Sequence, residues 1–362
     1  MHCAIDGNEA NVEHKVGVSW YVYKVLQYFA KNASGENVFT VFLRDKPREE
    51  MPHENAHFHY AVVPGKAAWS QLFLPFALYM QPRAIDIFFS PAHYAPRFCP
   101  VPTVVTIHDL SYFYYPNDFL KPDLLKLEHW TRYSVEHAAH IIAVSNTTKQ
   151  DAMNQYKLND EDITVIPNGF EPPDIQLDAS PVFSHYFTYI GTLQPRKNIE
   201  TLLYAFSNVH AKYPKHSLRI IGKKGWMFDR IFKLVETLKL TSSVLFTGYV
   251  EEQEKYTILA HATALITPGL YEGFGLPILE AFYTKTPVIA SNAGALSEIG
   301  EDVVTYFKPV DQIDLAEKMV DVIEQGKVEA RIARAYELTK KYTWDTTAKE
   351  ILSVLQKTAS NR

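Results

Sequence analysis

Short apolar runs alternate along this chain with stretches in which apolar positions recur every three or four residues. Val18, Tyr21, Val22, Val25, Leu26 and Phe29 repeat at helical spacing and mark a first long helix after a short amino-terminal strand. Strands are predicted over 38–43, 85–90, 104–108, 141–145 and 163–166, and then over 187–190, 218–221, 244–247, 264–267 and 288–290. Between the two sets, PNGFEPPDIQLDASP at 167–181 is dense in Pro and Asp and has no period, so it reads as a linker. Strands alternating with amphipathic helices imply parallel sheets covered on both faces. The expected fold is α/β, with one parallel-sheet domain over 1–170, a second over 181–341, and a helical segment over 342–362.

The most informative segment is YEGFGLPILEA, from Tyr271 to Ala281. It places Glu272 before a glycine-rich bend and Glu280 inside the helix that follows. Gly273 and Gly275 suit a tight bend, and Pro277 suits a first helical turn. Unpaired amides at such a helix start, together with the helix dipole, favour an anion. A diphosphate resting there would leave one carboxylate beside a sugar and the other near a ribose. An ordinary strand-to-helix connection has the same look, but the strand before it ends at Pro268, and the carboxyl ends of strands are where open α/β sheets bind ligands.

A second segment, FTYIGTLQPRKN, breaks from a strand into a loop with Gly191, Arg196 and Lys197 just before a helix near Ile199. Two cations at a helix start oppose the local dipole. The placement makes sense if a multiply charged anion sits between them and the helix, Arg196 gripping its oxygens and Lys197 acting as a point charge. A solvated basic turn is the alternative.

These motifs carry a resemblance. IGTLQPRKN, LRIIGKKGW, VLFTGYV, the spacing of Glu272 and Glu280, and TPVIAS before SNAGALSEIG resemble the family 4 retaining glycosyltransferases of the GT-B fold. VGVSWYVYKVL, VVTIHDLSYFYYP, HIIAVSNTTKQD and ITVIPNGF match more loosely, and the HDL segment is similar to bacterial polysaccharide mannosyltransferases. The resemblance implies two Rossmann-like domains facing across a cleft, with the terminal helix crossing back to the first. It implies a donor site in the second domain and an acceptor site in the first. Arg196 and Lys197 would contact the donor diphosphate, Glu280 the ribose hydroxyls and Glu272 the transferred sugar. Gly273, Phe274, Gly275 and Leu276 would present backbone amides, with Gly191 in the same loop region as the cations. Gly17 would let backbone approach the diphosphate. Where relatives have a second glycine and an arginine, this chain has Ser19 and Trp20, and where they have a glycine it has Lys285.

His108 ends a predicted strand and matches the family's His-Asp position, so the resemblance gives it a hydrogen bond to the transferred sugar. Asp109 either serves that site or caps the next turn. Tyr112 to Tyr115 either stack on an acceptor sugar or pack under a loop. The acidic triplet Asp160-Glu161-Asp162 precedes a strand and reads as a solvated turn.

With 362 residues, 47% of them hydrophobic, the chain is long enough for two cores, and a net charge of -5 argues against a nucleic-acid binder. Two cysteines, Cys3 and Cys99, make no disulfide framework. No signal or spanning segment is visible, so the expected location is the cytoplasm, at most peripheral on the inner face of the membrane. The resemblance implies a nucleotide sugar as donor, GDP-mannose favoured over a UDP-sugar, and a glycan or lipid-linked sugar as acceptor. No metal and no resident cofactor are expected. Rival readings are a sugar-nucleotide epimerase, a glycan phosphorylase, a nicotinamide oxidoreductase, disfavoured because G-x-G-x-x-G is missing after the first strand, and a non-catalytic sugar-binding protein.

Overall fold

In the computed structural model, which describes residues 1–66, 68–81, 84–173 and 185–361, the apolar runs become two all-parallel sheets. The first contains β1 (His2–Asp6), β2 (Val38–Leu43), β3 (Phe58–Val62), β4 (Ile87–Ser90), β5 (Thr103–Ile107), β6 (His140–Ala143) and β7 (Ile163–Val165), in the order β3-β2-β1-β4-β5-β6-β7. The second contains β8 (Tyr186–Ile190), β9 (Ser217–Ile221), β10 (Val244–Gly248), β11 (Ala264–Thr267), β12 (Val288–Ser291) and β13 (Thr305–Phe307), in the order β10-β9-β8-β11-β12-β13. In each sheet the strand order reverses once, between β1 and β4 and between β8 and β11. Crevices at the carboxyl ends of such neighbouring strands are where doubly wound sheets take ligands.

By contact the chain divides into two units, one of Met1–Tyr114, Lys121–Gly169 and Tyr342–Arg362 and one of Tyr115–Leu120 and Phe170–Lys341. The central strands are buried because helices cover both faces of each sheet, which is why they read as continuous apolar runs. The helix Val18–Asn32 buries Tyr21, Val22, Val25, Leu26 and Phe29, the stripe anticipated from spacing. The C-terminal helix Trp344–Ser360 adds Ala348, Ile351 and Leu355 to the same core. Its Thr347 hydroxyl donates to the Pro167 carbonyl at 2.8 Å, tying it to the end of the first unit.

Most predicted strands differ from the observed ones by a residue or two. The run predicted over 104–108 ends at Ile107, so His108 is the first residue beyond β5. The run over 141–145 ends at Ala143, and Ser145 instead caps the helix Asn146–Tyr156 by accepting from the Thr148 amide. Two strands, β3 and β13, were not anticipated, and both are edge strands. Only Phe58 of β3 is buried, within a histidine-rich polar stretch, and β13 is three residues long. The predicted linker is described only as far as residue 173, so its remainder and the boundary at 181 lie outside the described residues.

Candidate active site

Two loops meet at the reversal point of the second sheet. The loop after β8 carries Gly191 and a 3-10 turn, Pro195–Lys197, before the helix Ile199–Lys212. The loop after β11 carries Tyr271 to Gly275 before the helix Leu276–Tyr283. Backbone and side chain hold the two together. The Leu270 amide donates to the Arg196 carbonyl at 2.8 Å, and Asn198 Nδ2 donates to the Pro268 carbonyl at 3.0 Å. Arg196 Nη1 donates to the Tyr271 carbonyl at 3.2 Å. Lys197 Nζ lies 2.6 Å from Glu272 Oε1, with both side chains largely buried.

The anticipated cations and carboxylate are therefore neighbours, although the partners differ from those expected. Arg196 and Lys197 stand in the turn that precedes the helix, and they reach a carbonyl and a carboxylate of the facing loop. An anion is thus not required to explain two cations before a helix start. Tyr189, wholly buried at the end of β8, has its hydroxyl pushed well above the usual range by burial and then by the Glu272 charge, with Arg196 opposing. It stays neutral beneath the pair.

The bend itself needs glycine. Gly275 has φ 113° immediately before the helix, a conformation that side chains rarely adopt. Gly294, at φ 59°, lies against the backbone of Glu272, where a Cβ would be 2.5 Å from the Glu272 carbonyl oxygen. The Ala295 amide donates to that same carbonyl at 2.9 Å. Pro277 occupies the first turn of the helix, and Ile278, Leu279, Ala281 and Phe282 fix the helix in the core. Phe274 is buried and Leu276 opens the helix.

Glu280 projects from this helix toward Lys255, whose Nζ is 2.8 Å from Glu280 Oε1 and 2.8 Å from Glu252 Oε1. Burial would lower the ammonium's pKa, but the two carboxylates outweigh it and the net shift is upward. Lys255 therefore remains a cation. Sequence reasoning missed this residue, because helical periodicity marks the apolar Tyr256, Ile258 and Leu259 and says nothing about a lysine's partner on a neighbouring helix.

It also missed the stretch after the aromatic run, 116–120, whose Asp118 lies near Arg196. The Tyr115 hydroxyl donates to the Leu270 carbonyl at 3.2 Å, and Trp226 Nε1 donates to the Asp118 carbonyl. Burial raises the Asp118 pKa, with Arg196 and Arg230 opposing. Gly294 was legible only as part of a motif. The Asn198 cap, with the left-handed φ of 55° that Asn tolerates, carried no chemical signature of its own.

In the first unit, Gly17 caps the helix Val18–Asn32 at φ 43°. His108 is buried, with Nε2 2.7 Å from the Pro91 carbonyl and its ring edge-on to Tyr21. A carbonyl only accepts, so Nε2 carries the proton and Nδ1 is an acceptor. Burial, and then His93, push the His108 pKa down to about 3, so the ring is neutral. Asp109 caps the following turn, accepting from the Ser111 amide at 3.1 Å and the Ser111 hydroxyl at 2.8 Å. Of the aromatic run, Tyr112 is buried with its hydroxyl 2.7 Å from that of Tyr156, and Phe113 packs edge-on to the same ring. Those two rings pack internally, whereas Tyr114 is more exposed and donates to Asp151. The triplet Asp160–Asp162 forms a short 3-10 turn held by a capping box with Asn159. Among the described residues, no three His, Cys, Asp or Glu side chains are grouped to hold a metal ion.

Two Rossmann-like units built on all-parallel sheets, each with one reversal of strand order, define the GT-B fold. Residues 16–172 match Glycosyltransferase Family 4 and residues 179–355 match Glycosyl transferases group 1, and the chain belongs to this family. It is 28% identical over 257 residues to O-antigen chain mannosyltransferase B of Escherichia coli, covering 67% of each chain. It is 29% identical over 209 residues to O-antigen chain mannosyltransferase RfbU of Salmonella typhimurium, covering 58% of this chain and 57% of that protein. The Anabaena protein HepE, solved in complex with UDP and glucose, has the same fold at a TM-score of 0.75 and 17% identity, over 98% of this chain and 99% of that one.

Proposed function

We propose that this glycosyltransferase moves a mannosyl group, with retention, from GDP-mannose to a hydroxyl of a glycan or lipid-linked sugar, without a metal ion. The observation that carries the reading is the placement of Arg196 and Lys197 beside Glu272, at the reversal point of the second sheet. The chemistry separates a nucleoside diphosphate from the anomeric carbon while an acceptor hydroxyl attacks from the same face. Arg196 and Lys197 stabilise charge developing on the leaving diphosphate, as preorganised donors do in a site sheltered from water. That supports departure without a divalent ion. Glu272, next to Lys197, orients a hydroxyl of the sugar and offsets positive charge at the anomeric centre. Glu280 accepts from the ribose hydroxyls through charge-assisted bonds. Backbone at Gly17, Gly191 and Gly273 to Leu276 lines the donor. The neutral His108 serves the transferred sugar as a hydrogen-bond acceptor at Nδ1.

Mannose is supported by the two O-antigen mannosyltransferases named above. A UDP-sugar donor is the second reading, favoured by the fold shared with HepE, which was solved with UDP and glucose. Thermal-shift measurement against GDP, UDP and ADP tests the base, since a ligand that binds the native state raises its melting temperature. GDP-mannose with a mannosylated acceptor should then release GDP and yield a product whose new linkage keeps the donor's anomeric configuration. Turnover of donor alone to another nucleotide sugar would point to an epimerase. Phosphate-dependent glycan cleavage would point to a phosphorylase, and binding without diphosphate release to a sugar-binding protein.

A further inference from the structure

The helix Trp69–Tyr79 is apolar on both of its faces. Inward, Trp69, Leu74 and Leu78 pack with Phe42 and Phe88 beneath the first sheet, and Trp69 Nε1 donates to the Val63 carbonyl at 2.6 Å. Outward, Leu72, Phe73, Phe76, Tyr79 and the capping Met80 follow the spacing of a single helical stripe. Leu72, Phe76, Tyr79 and Met80 are 62–69% exposed. Phe98, 77% exposed, belongs to a neighbouring loop that Gln71 Nε2 ties to this helix through the Ala95 carbonyl at 3.0 Å. Cys99 and Val101 of that loop pack on the same inner cluster.

A surface helix normally turns a polar face to water, and an exposed apolar stripe of this size marks a contact surface. The charge pattern indicates the partner. Residues 61–84 and 91–102 contain no Asp or Glu, although these supply 41 of the chain's 362 residues. The same segments contain Lys66, Arg83 and Arg97. Lys66, three residues before the helix, and Arg97, next to Phe98, are exposed. Exposed aromatic and aliphatic side chains on segments that carry cations and no acids suit the acyl boundary and headgroups of an anionic bilayer. We propose that this helix and Phe98 form a surface that lies on anionic membrane, with Leu72, Phe76, Met80 and Phe98 entering the interface. The inference stands independently of the donor and acceptor assigned above.

Co-sedimentation of the full chain with vesicles of phosphatidylcholine, with and without phosphatidylglycerol, tests it. Sedimentation is expected with the anionic vesicles, weakening as salt is raised. The double variant L72S/F76S should lower the partition coefficient at least about tenfold, because each removes apolar surface from the lipid. Both positions are exposed, so the melting temperature should hold, and Phe98→Ser gives an independent arm. Indifference of the chain to anionic vesicles overturns the proposal, as does unchanged binding by L72S/F76S. A homodimer in light scattering that L72S/F76S converts to monomer assigns the stripe to a second copy and also overturns it.

Discussion

Lys197 Nζ lies 2.6 and 2.7 Å from the two carboxylate oxygens of Glu272, closing an ion pair across two loops that the sequence separates by 75 positions. In the proposed scheme, an arriving diphosphate would compete with Glu272 for this ammonium. The leaving-group side of the site and the sugar side thereby share one cation. Replacing Lys197 or Arg196 with alanine is expected to lower turnover by roughly two orders of magnitude with donor saturating, the usual loss when one preorganised stabiliser is removed. Steady-state kinetics at saturating donor check this, and an unchanged kcat would end the proposed role.

Lys255 is expected to act on donor affinity through Glu280. Its ammonium lies 2.8 Å from Glu280 Oε1, which would fix the carboxylate and leave Oε2 for the ribose hydroxyl of the proposed scheme. Lys255→Met should raise the donor KM several-fold with kcat nearly unchanged, and Lys255→Arg should restore much of the loss. Glu280→Ala should raise the same KM. If Glu280→Ala matters and Lys255→Met does not, the ribose role survives and the positioning role fails.

The backbone of Glu272 is set by a residue that touches no substrate in the proposed scheme. At Gly294 a Cβ would sit 2.5 Å from the Glu272 carbonyl oxygen and 2.7 Å from its nitrogen, at a φ of 59°. Gly294→Ala is therefore expected to displace the Glu272 backbone, and with it the carboxylate that pairs with Lys197. A displacement approaching 1 Å costs on the order of a hundredfold in rate. The prediction is a loss of kcat on that scale with a retained far-ultraviolet dichroism spectrum, and full activity would show that the loop absorbs the strain without moving Glu272.

The pattern of apolar residues carried the central strands and the first helix because burial on both faces leaves a continuous signature. Edge strands carry half of that signature, so Phe58–Val62 and Thr305–Phe307 were illegible. Among the candidate site residues, Arg196, Lys197, Glu272 and Glu280 stood out because they fall in or just after glycine-containing loops that follow strands and open helices. Their partners were not readable. Lys255 is on a helix facing Glu280, and Asp118 comes from a distant stretch of chain, so only the tertiary fold brings either into place. Asp109 shows the converse, a residue beside a motif histidine that serves as a turn cap.

His108 makes stability depend on pH. Burial holds its pKa at about 3, whereas an unfolded chain leaves it near 6.5. Below 6.5 the unfolded state binds the extra proton, so the contribution is present above that pH and is lost as pH falls toward 3, at about 1.4 kcal/mol per unit. Asp6, raised by burial to about 6, works in the opposite sense, losing its contribution as pH rises from its ordinary value. Comparing His108→Asn with the parent isolates the histidine. Urea unfolding should show the parent's advantage shrinking by about 2 kcal/mol between pH 6.5 and 5. A constant difference would mean that the ring is not held neutral.

Lys285 occupies a position that suits glycine better. It follows the helix Leu276–Tyr283 at φ 57°, with its amide donating to Phe282 and the Thr286 amide donating to Ala281. These two bonds form a Schellman cap, whose left-handed residue is usually glycine because a Cβ is strained there by about 1 kcal/mol or more. Among the described residues the lysine gains an exposed cation–π contact, 5.6 Å from the Tyr336 ring centroid. Lys285→Gly should therefore raise stability by up to about 1 kcal/mol, the strain relief being partly offset by glycine's greater freedom in the unfolded chain. Since the helix it terminates holds Glu280, turnover should be retained while the melting temperature rises. A lower melting temperature would mean that the Tyr336 contact outweighs the strain.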